Sequence, residues 1–325
     1  EVWMSGAGDW NLLTGETGAE LTIGPDQWVH GRGEIQLAVL NQGRLEASVN
    51  GKELRVAQAV DNQGTLWASN GGILKIQGLL TNTGTVGTQA DPGAGSCSFV
   101  GGVLNTGTIA LGSGTGNWTM TGTVDLGLDV SAGPGQTVHL TDVTMANAGR
   151  AIVADGGVVV LENSTVNGGV LRVNDKAGSL VRFSGEITLN AVPWEDPGAG
   201  EFQVYNTTTR FLGDYAGGLP AGYHLVIWSS NTHSAVQLTI PGGVYTNDGR
   251  IELRHKGDGW RGYPRLHWQG SGTLAGTGEV WMSGAGDWNL LTGETGAELT
   301  IGPDQWVHGR GEIQLAVLNQ GRLEA

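Results

Sequence analysis

The chain has 325 residues, of which 58 are Gly and 15% are charged, and its 31 acidic against 17 basic residues leave a net charge of −14. That sign repels a phosphate backbone and argues against nucleic acid as a partner, while apolar runs such as Val158-Val159-Val160-Leu161 fall far short of the roughly 20 residues that span a bilayer. The single cysteine, Cys97, excludes an internal disulfide scaffold, and the abundance of Gly, Asn, Thr, Val and Leu predicts frequent turns between short β-prone runs instead of long helices.

From its first residue the chain shows repetition. Residues 1–47, from Glu1-Val2-Trp3-Met4 to Arg44-Leu45-Glu46-Ala47, recur without a change as residues 279–325. Residues 1–278 are therefore read as one tandem repeat unit and 279–325 as the start of the next. Glu1 is preceded by no initiator Met and followed by no basic-then-apolar leader, so a targeting signal is expected outside these residues.

A shorter period runs inside the repeat. Asn-x-Gly-[Arg/Thr]-[Leu/Val/Ile] begins at Asn41, Asn62, Asn82, Asn105 and Asn247, and again at Asn319. The first four of these recur at intervals of about 21 residues, which is too short for a propeller blade and lacks the helical half of a leucine-rich repeat, but fits one coil of a β-solenoid. Each Asn is expected to offer its amide to the coil above, forming a ladder, and each Gly to supply the positive φ of a sharp corner.

Lys52–Gln63, with no Gly or Pro, leaves room for a short helix. Ile73-Leu74-Lys75-Ile76, Thr108-Ile109-Ala110-Leu111, Val158–Leu161, Gly169–Val173 and Glu186–Leu189 each suit one short strand. Tyr223–Ile240 is longer than a coil strand but rich in Val, Ile, Thr and Trp, and is read as β. The predicted fold class is all-β, a right-handed parallel β-helix (β-solenoid) with coils of about 21 residues, about 13 coils per repeat and an advance of about 60 Å at the spacing of stacked strands.

The Asn-x-Gly-Thr coils, the run Ala154-Asp155-Gly156-Gly157-Val158-Val159-Val160-Leu161 and the run Ser164-Thr165-Val166-Asn167-Gly168-Gly169-Val170-Leu171 resemble giant repetitive bacterial surface proteins with β-helix repeats, in the style of filamentous-haemagglutinin-like adhesins and autotransporter passengers. The resemblance implies an extracellular or cell-surface adhesin, stalk or filament. Its partners would be neighbouring identical repeat units end to end, with lateral self-association into fibres. No functional residue carries over, and the 12 Trp residues depart from that pattern.

Chemistry is sparse. Gly257-Asp258-Gly259-Trp260-Arg261-Gly262 has the letters of a dinucleotide fingerprint, but Pro264 and the strand-like Arg265–Trp268 stand where the phosphate-binding helix belongs. No serine sits in Gly-x-Ser-x-Gly. The histidines are scattered and no dense Asp run occurs, so neither a metal nor a cofactor is expected. Repeated Asp-Pro-Gly-Ala-Gly at Asp91 and Asp196 reads as turn chemistry. The expected role is structural, without catalysis. The enzymatic alternative is a β-helix polysaccharide lyase or glycosidase, with Asp125 and Asp129 on one side of an extended segment and Arg172 and Arg182 on later coils.

A glycan-binding surface is the other alternative. Three stretches join Trp to a carboxylate: Asp9-Trp10, Trp194-Glu195-Asp196, and Asp258-Gly259-Trp260 followed by Tyr263. Aromatic faces stack on sugar rings while carboxylates accept hydroxyl protons. The competing structural account is that these rings cover gaps where a loop leaves the coil.

Overall fold

A computed structural model describes residues 1–5, 11–89, 93–110, 116–195, 200–229, 236–255, 263–284 and 288–325. Every regular element among the described residues is a β-strand, and the strands pair in parallel from coil to coil, as a β-solenoid requires. Two compact bodies make up the chain. The N-terminal body comprises Glu1–Val160, Val166–Val170 and Lys176–Ser179; the C-terminal body comprises Leu161–Thr165, Leu171–Asp175 and Leu180–Ala325.

In the N-terminal body the coils present three strand stacks. The first runs Val2–Met4, Trp28–Gly31, Arg44–Ala47, Thr65–Ala68, Thr85–Thr88 and Thr108–Ala110. The second runs Gly33–Ile35, Glu53–Val56, Ile73–Ile76, Ser96–Phe99 and the start of Asn117–Asp125. The third runs Glu20–Ile23, Ala38–Asn41, Val60–Asn62, Leu80–Asn82 and Val103–Asn105. Alternate residues of each strand point inward, so register alone builds the core. Leu45, Leu66 and Val86 form one fully buried column, and Leu54, Leu74, Cys97 and Trp118 another.

The expected amide ladder is present. Asn41 Nδ2 donates to Asn62 Oδ1 at 2.6 Å, Asn62 Nδ2 to Asn82 Oδ1 at 2.6 Å, and Asn82 Nδ2 to Asn105 Oδ1 at 2.5 Å, with partners 21, 20 and 23 residues apart. These amides are buried in the core. The same corners carry paired main-chain bonds: Gln63 N–H and Gly64 N–H both donate to Asn41 O at 2.8 Å.

The corner glycines have a different reason from the one expected. Gly43, Gly64, Gly84 and Gly107 do not have positive φ. A Cβ at Gly64 would lie 2.2 Å from the carbonyl oxygen of Gly43 in the coil before it, and one at Gly84 would lie 2.2 Å from that of Gly64. Close approach between coils demands the glycine, and corner dihedrals do not. Lys52–Gln63 is likewise not helical: it holds the strands Glu53–Val56 and Val60–Asn62, because Leu54, Val56 and Val60 belong to buried columns. The stretch 223–240 is β as read, with strands His224–Ser229 and Val236–Asn247.

The C-terminal body repeats the scheme with larger, less even coils. Leu180–Asn190, Glu201–Gly213, His224–Ser229, Arg250–His255, Glu279–Gly284, Trp306–Gly309 and Arg322–Glu324 pair in succession. Arg250 faces Glu279 across a long coil, while Trp306 faces Arg322 across a much shorter one. The inner column Phe202, Leu225, Ile251, Val280 and Val307 is fully buried throughout.

Candidate functional site: a charged and aromatic face

In-register parallel stacking places the outward residues of successive coils about 4.8 Å apart, so whatever sequence repeats along a column becomes a row of touching side chains. On the C-terminal body one outward column reads His224, Arg250, Glu279, Trp306, Arg322, and the next reads Val226, Glu252, Trp281, His308, Glu324. A third sets Tyr205 beside Trp228, then Arg254 and Ser283.

These columns interlock. The Glu252 carboxylate, whose side chain is 3% exposed, accepts from Arg254 at 2.8 and 2.9 Å and from the Ser283 hydroxyl, and lies 2.9 Å from His224 Nε2. Arg254 also donates to Glu201 at 2.6 Å. Burial pushes the Glu252 carboxyl up, but hydrogen bonds from His224, Arg254 and Ser283 outweigh that and hold it well below the usual carboxylate range. Burial also pulls down the Arg254 guanidinium, and its bonds to Glu252 and Glu201 more than reverse this.

Aromatic rings fill the spaces between the charges. The Arg250 guanidinium lies 4.2 Å over the Trp281 ring while its Nε is 3.1 Å from Glu279, and Glu279 also meets His308 at 2.9 Å. His308 stacks on Trp306 at 3.8 Å, and Arg322 lies 4.6 Å over that indole. Arg182 sits 4.0 Å over Tyr205, whose ring stacks on Trp228 at 5.2 Å. Cation–π contacts of this kind are worth about 0.5–2 kcal/mol each depending on exposure. A cleft of about 390 Å³ opens at the margin, lined by Tyr223, His224, Asp248, Arg250, Glu279 and Trp306.

The first copy of the repeated segment rebuilds the same stack on the N-terminal body. His30 meets Glu1 at 2.7 Å and stacks on Trp28 at 3.9 Å, Arg44 lies 5.4 Å over Trp28, and Trp3 stacks on His30 at 5.8 Å. Trp3 is 65% exposed, whereas its counterpart Trp281 is covered by Arg250.

Of the residues that the sequence points to, Asp9, Trp10, Asp196, Asp258 and Trp260 lie outside the described residues, as do Asp91, Pro92 and the whole Gly257–Gly262 run. Trp194 is only 4% exposed. Its ring stacks on Phe202 at 4.7 Å, Tyr215 at 5.0 Å, Phe183 at 5.2 Å and Tyr223 at 5.4 Å, so protein occupies its faces. Tyr263 lies 5.1 Å from Trp288, the second-copy counterpart of Trp10, with Arg265 5.9 Å over the Tyr263 ring. Asp125 accepts from Gly127 N–H at 3.2 Å and Asp129 from Ala151 N–H at 2.7 Å. Arg172 pairs with Glu195 at 2.5 Å, and Arg182 donates to Gln203 at 3.3 Å.

Sequence reasoning missed the Arg250, Glu252, Trp281 and Trp306 columns. Their signal was Arg-x-Glu on alternate strand positions, recurring as Arg44-Leu45-Glu46, Arg250-Ile251-Glu252 and Arg322-Leu323-Glu324, but only the register shows that a Trp lies beside each.

Among the described residues no group of three or more His, Cys, Asp or Glu is arranged to hold a metal ion. Comparison of the chain with protein-family models, with curated proteins and with solved structures finds no match in any of the three.

Proposed function

We propose that the chain belongs to an extracellular or cell-surface rod with a structural and adhesive role, built from tandem 278-residue β-solenoid units set end to end, and that it carries no catalysis. The observation that supports this is the junction at residue 278. Glu279–Gly284, which opens the second copy, pairs with Arg250–His255 at every position from Arg250↔Glu279 to His255↔Gly284. Gly278 N–H donates to Asn247 O at 2.8 Å, the same corner bond that Gly64 makes to Asn41 O within the repeat. Asn247 and Gln305 exchange two further bonds across the junction, at 3.3 and 2.6 Å. One repeat passes into the next through ordinary coil chemistry, without a linker. The charges of the outward face neutralise one another, which suits a scaffold better than a reacting centre.

The test is electron microscopy of chains carrying one, two and four complete repeats. Contour length should rise linearly by about 60 Å per repeat. Beads joined by variable gaps would overturn the reading.

A glycan-binding surface is the second reading, supported by the Tyr263, Trp288 and Arg265 cluster, which joins two aromatic side chains to a cation. Tyr263→Ala and Trp288→Ala should then abolish glycan-array signal without changing the circular dichroism spectrum. An array blank for the unmodified chain removes this reading and leaves the rod untouched.

A further inference from the structure

The cleft of about 390 Å³ between Tyr223 and Trp306 takes its form from the corners that border it. Gly218 pairs with Thr246 and Thr246 with Ala275, while His224 pairs with Arg250 and Arg250 with Glu279. The corner through Pro220 and Tyr223 therefore holds two residues more than either corner after it, and its Gly222 and Tyr223 form one end of the cleft. The next two corners carry glycine where coils touch. A Cβ at Gly249 would lie 2.5 Å from Tyr223 O, and one at Gly278 would lie 2.0 Å from Gly249 O, so close stacking forbids side chains there and leaves a backbone floor. Strands pair on both sides, Glu201–Gly213 with His224–Ser229 before and Trp306–Gly309 with Arg322–Glu324 after, which sets the cleft within the run of coils.

Two charged side chains on this cleft have hydrogen-bonding capacity left over. Asp248 Oδ1 accepts from Thr277 N–H at 2.9 Å and from Thr277 Oγ1 at 3.2 Å, while Oδ2 has no hydrogen-bond partner among the described residues. The Arg250 side chain is 37% exposed; its Nε lies 3.1 Å from Glu279 and its guanidinium lies over Trp281, and neither Nη makes a hydrogen bond among the described residues. An open acceptor and an open donor thus border one concave surface. A sugar hydroxyl both donates and accepts, so neighbouring hydroxyls of one ring match such a pair, whereas a group that only accepts or only donates matches half of it. Charge narrows the class further. Glu279 offsets Arg250 and Glu252 faces His224, which leaves Asp248 uncompensated on a chain of net charge −14. Uronates and sulfated sugars are repelled by that field.

We propose that this cleft binds one or two rings of a neutral saccharide, with Asp248 accepting from one hydroxyl and Arg250 donating to its neighbour. Its volume falls in the range of sites that take small molecules, about 300–1,000 Å³, and Tyr223 and Trp306 give it aromatic ends, the apolar complement that sugar C–H faces require. The proposal rests on the glycan reading above for its class of ligand. It gives that reading a site of its own, which shares no residue with the Tyr263, Trp288 and Arg265 cluster.

The experiment is saturation-transfer NMR on the full chain with millimolar lactose, cellobiose and mannobiose, and with glucuronate as the anionic comparison. At least one of the three neutral disaccharides should bind, and more tightly than glucuronate. Thr277 is exposed beside Asp248, so Thr277→Trp fills the cleft while the backbone bond to Asp248 stays, and binding should weaken by about tenfold or more. Thr277→Ser should bind as the parent does. Asp248→Ala, which removes a charged acceptor, should also weaken binding about tenfold or more, with the circular dichroism spectrum unchanged. Should Asp248→Ala disturb the fold, Thr277→Trp against Thr277→Ser decides alone. The proposal is overturned if none of the three disaccharides binds, if Thr277→Trp binds like the parent, or if glucuronate binds as tightly as the best of them. Binding that survives Thr277→Trp but is lost in Tyr263→Ala leaves the glycan reading standing at its cluster and removes only the cleft; binding lost in Thr277→Trp and intact in Tyr263→Ala supports the cleft and removes the cluster.

Discussion

Replacing Asn62 by Ala isolates the contribution of the amide ladder. Asn62 accepts from Asn41 Nδ2 at 2.6 Å and donates to Asn82 Oδ1 at 2.6 Å and to Thr85 O at 3.2 Å, with no solvent exposure. Truncation strips Asn82 Oδ1 of its donor, and a buried unpaired acceptor costs about 1–3 kcal/mol. Asn41 Nδ2 keeps its bond to Thr65 O at 3.0 Å and loses one net hydrogen bond, about 1 kcal/mol. The vacated volume adds about 1 kcal/mol, so the expected loss is about 3–5 kcal/mol. Asn41→Ala should cost less, because Asn41 Oδ1 has no donor to lose among the described residues and only Asn62 Oδ1 is stripped. Urea unfolding followed by circular dichroism measures both, with the exposed Asn50→Ala as a control expected within about 0.5 kcal/mol of the parent. An Asn62→Ala loss below about 1.5 kcal/mol, or one no larger than that of Asn41→Ala, would refute the view that the ladder is a coupled buried network.

Two further outcomes follow from the packing and the charges. Gly64→Ala places a Cβ 2.2 Å from the Gly43 carbonyl oxygen and should cost at least about 2 kcal/mol through forced separation of coils, whereas Gly217→Ala, with open space around its Cβ, should be neutral in the same urea assay. Glu252→Gln should destabilise the protein at neutral pH by about 3 kcal/mol, since it leaves Arg254 and His224 short of their buried acceptor. The folded-state pKa of Glu252 is depressed, so its stabilisation is complete above the ordinary carboxylate range and is lost as pH falls below that range towards the folded value. The gap between parent and variant should therefore close as stability is measured from about pH 5 down to about pH 2, and a gap constant across that window would disprove the assignment.

The ladder was legible because Asn-x-Gly recurs at nearly the coil length, so a spacing in sequence becomes an adjacency in space. The role of the glycines was not, because one strand of sequence does not show what lies in the coil beneath it; Gly64 answers to the Gly43 oxygen, one coil earlier. The absence of Gly and Pro in Lys52–Gln63 hinted at a helix, although the alternation of Glu53, Leu54, Arg55 and Val56 already carried the period of two that the structure obeys. Trp194 beside a carboxylate suggested an exposed ring, yet Phe183, Phe202, Phe211 and Tyr223, brought in from the strands and turns around it, enclose it. The ionic and aromatic columns were hidden for a related reason. Their rows form across coils of very unequal length, and no fixed period marks them.

That variation in coil length also bears on how such a sequence can change. Coils of this chain differ in length while the positions that face each other across them stay matched: Arg322 meets Trp306 across a short coil and Glu279 meets Arg250 across a long one. An insertion at a corner therefore lengthens a loop without shifting any strand, whereas a single-residue insertion within a strand would turn its inward column outward. The corners are where foreign peptides could be grafted into the chain and where new recognition loops could arise by drift, each borne on a scaffold that registers no change.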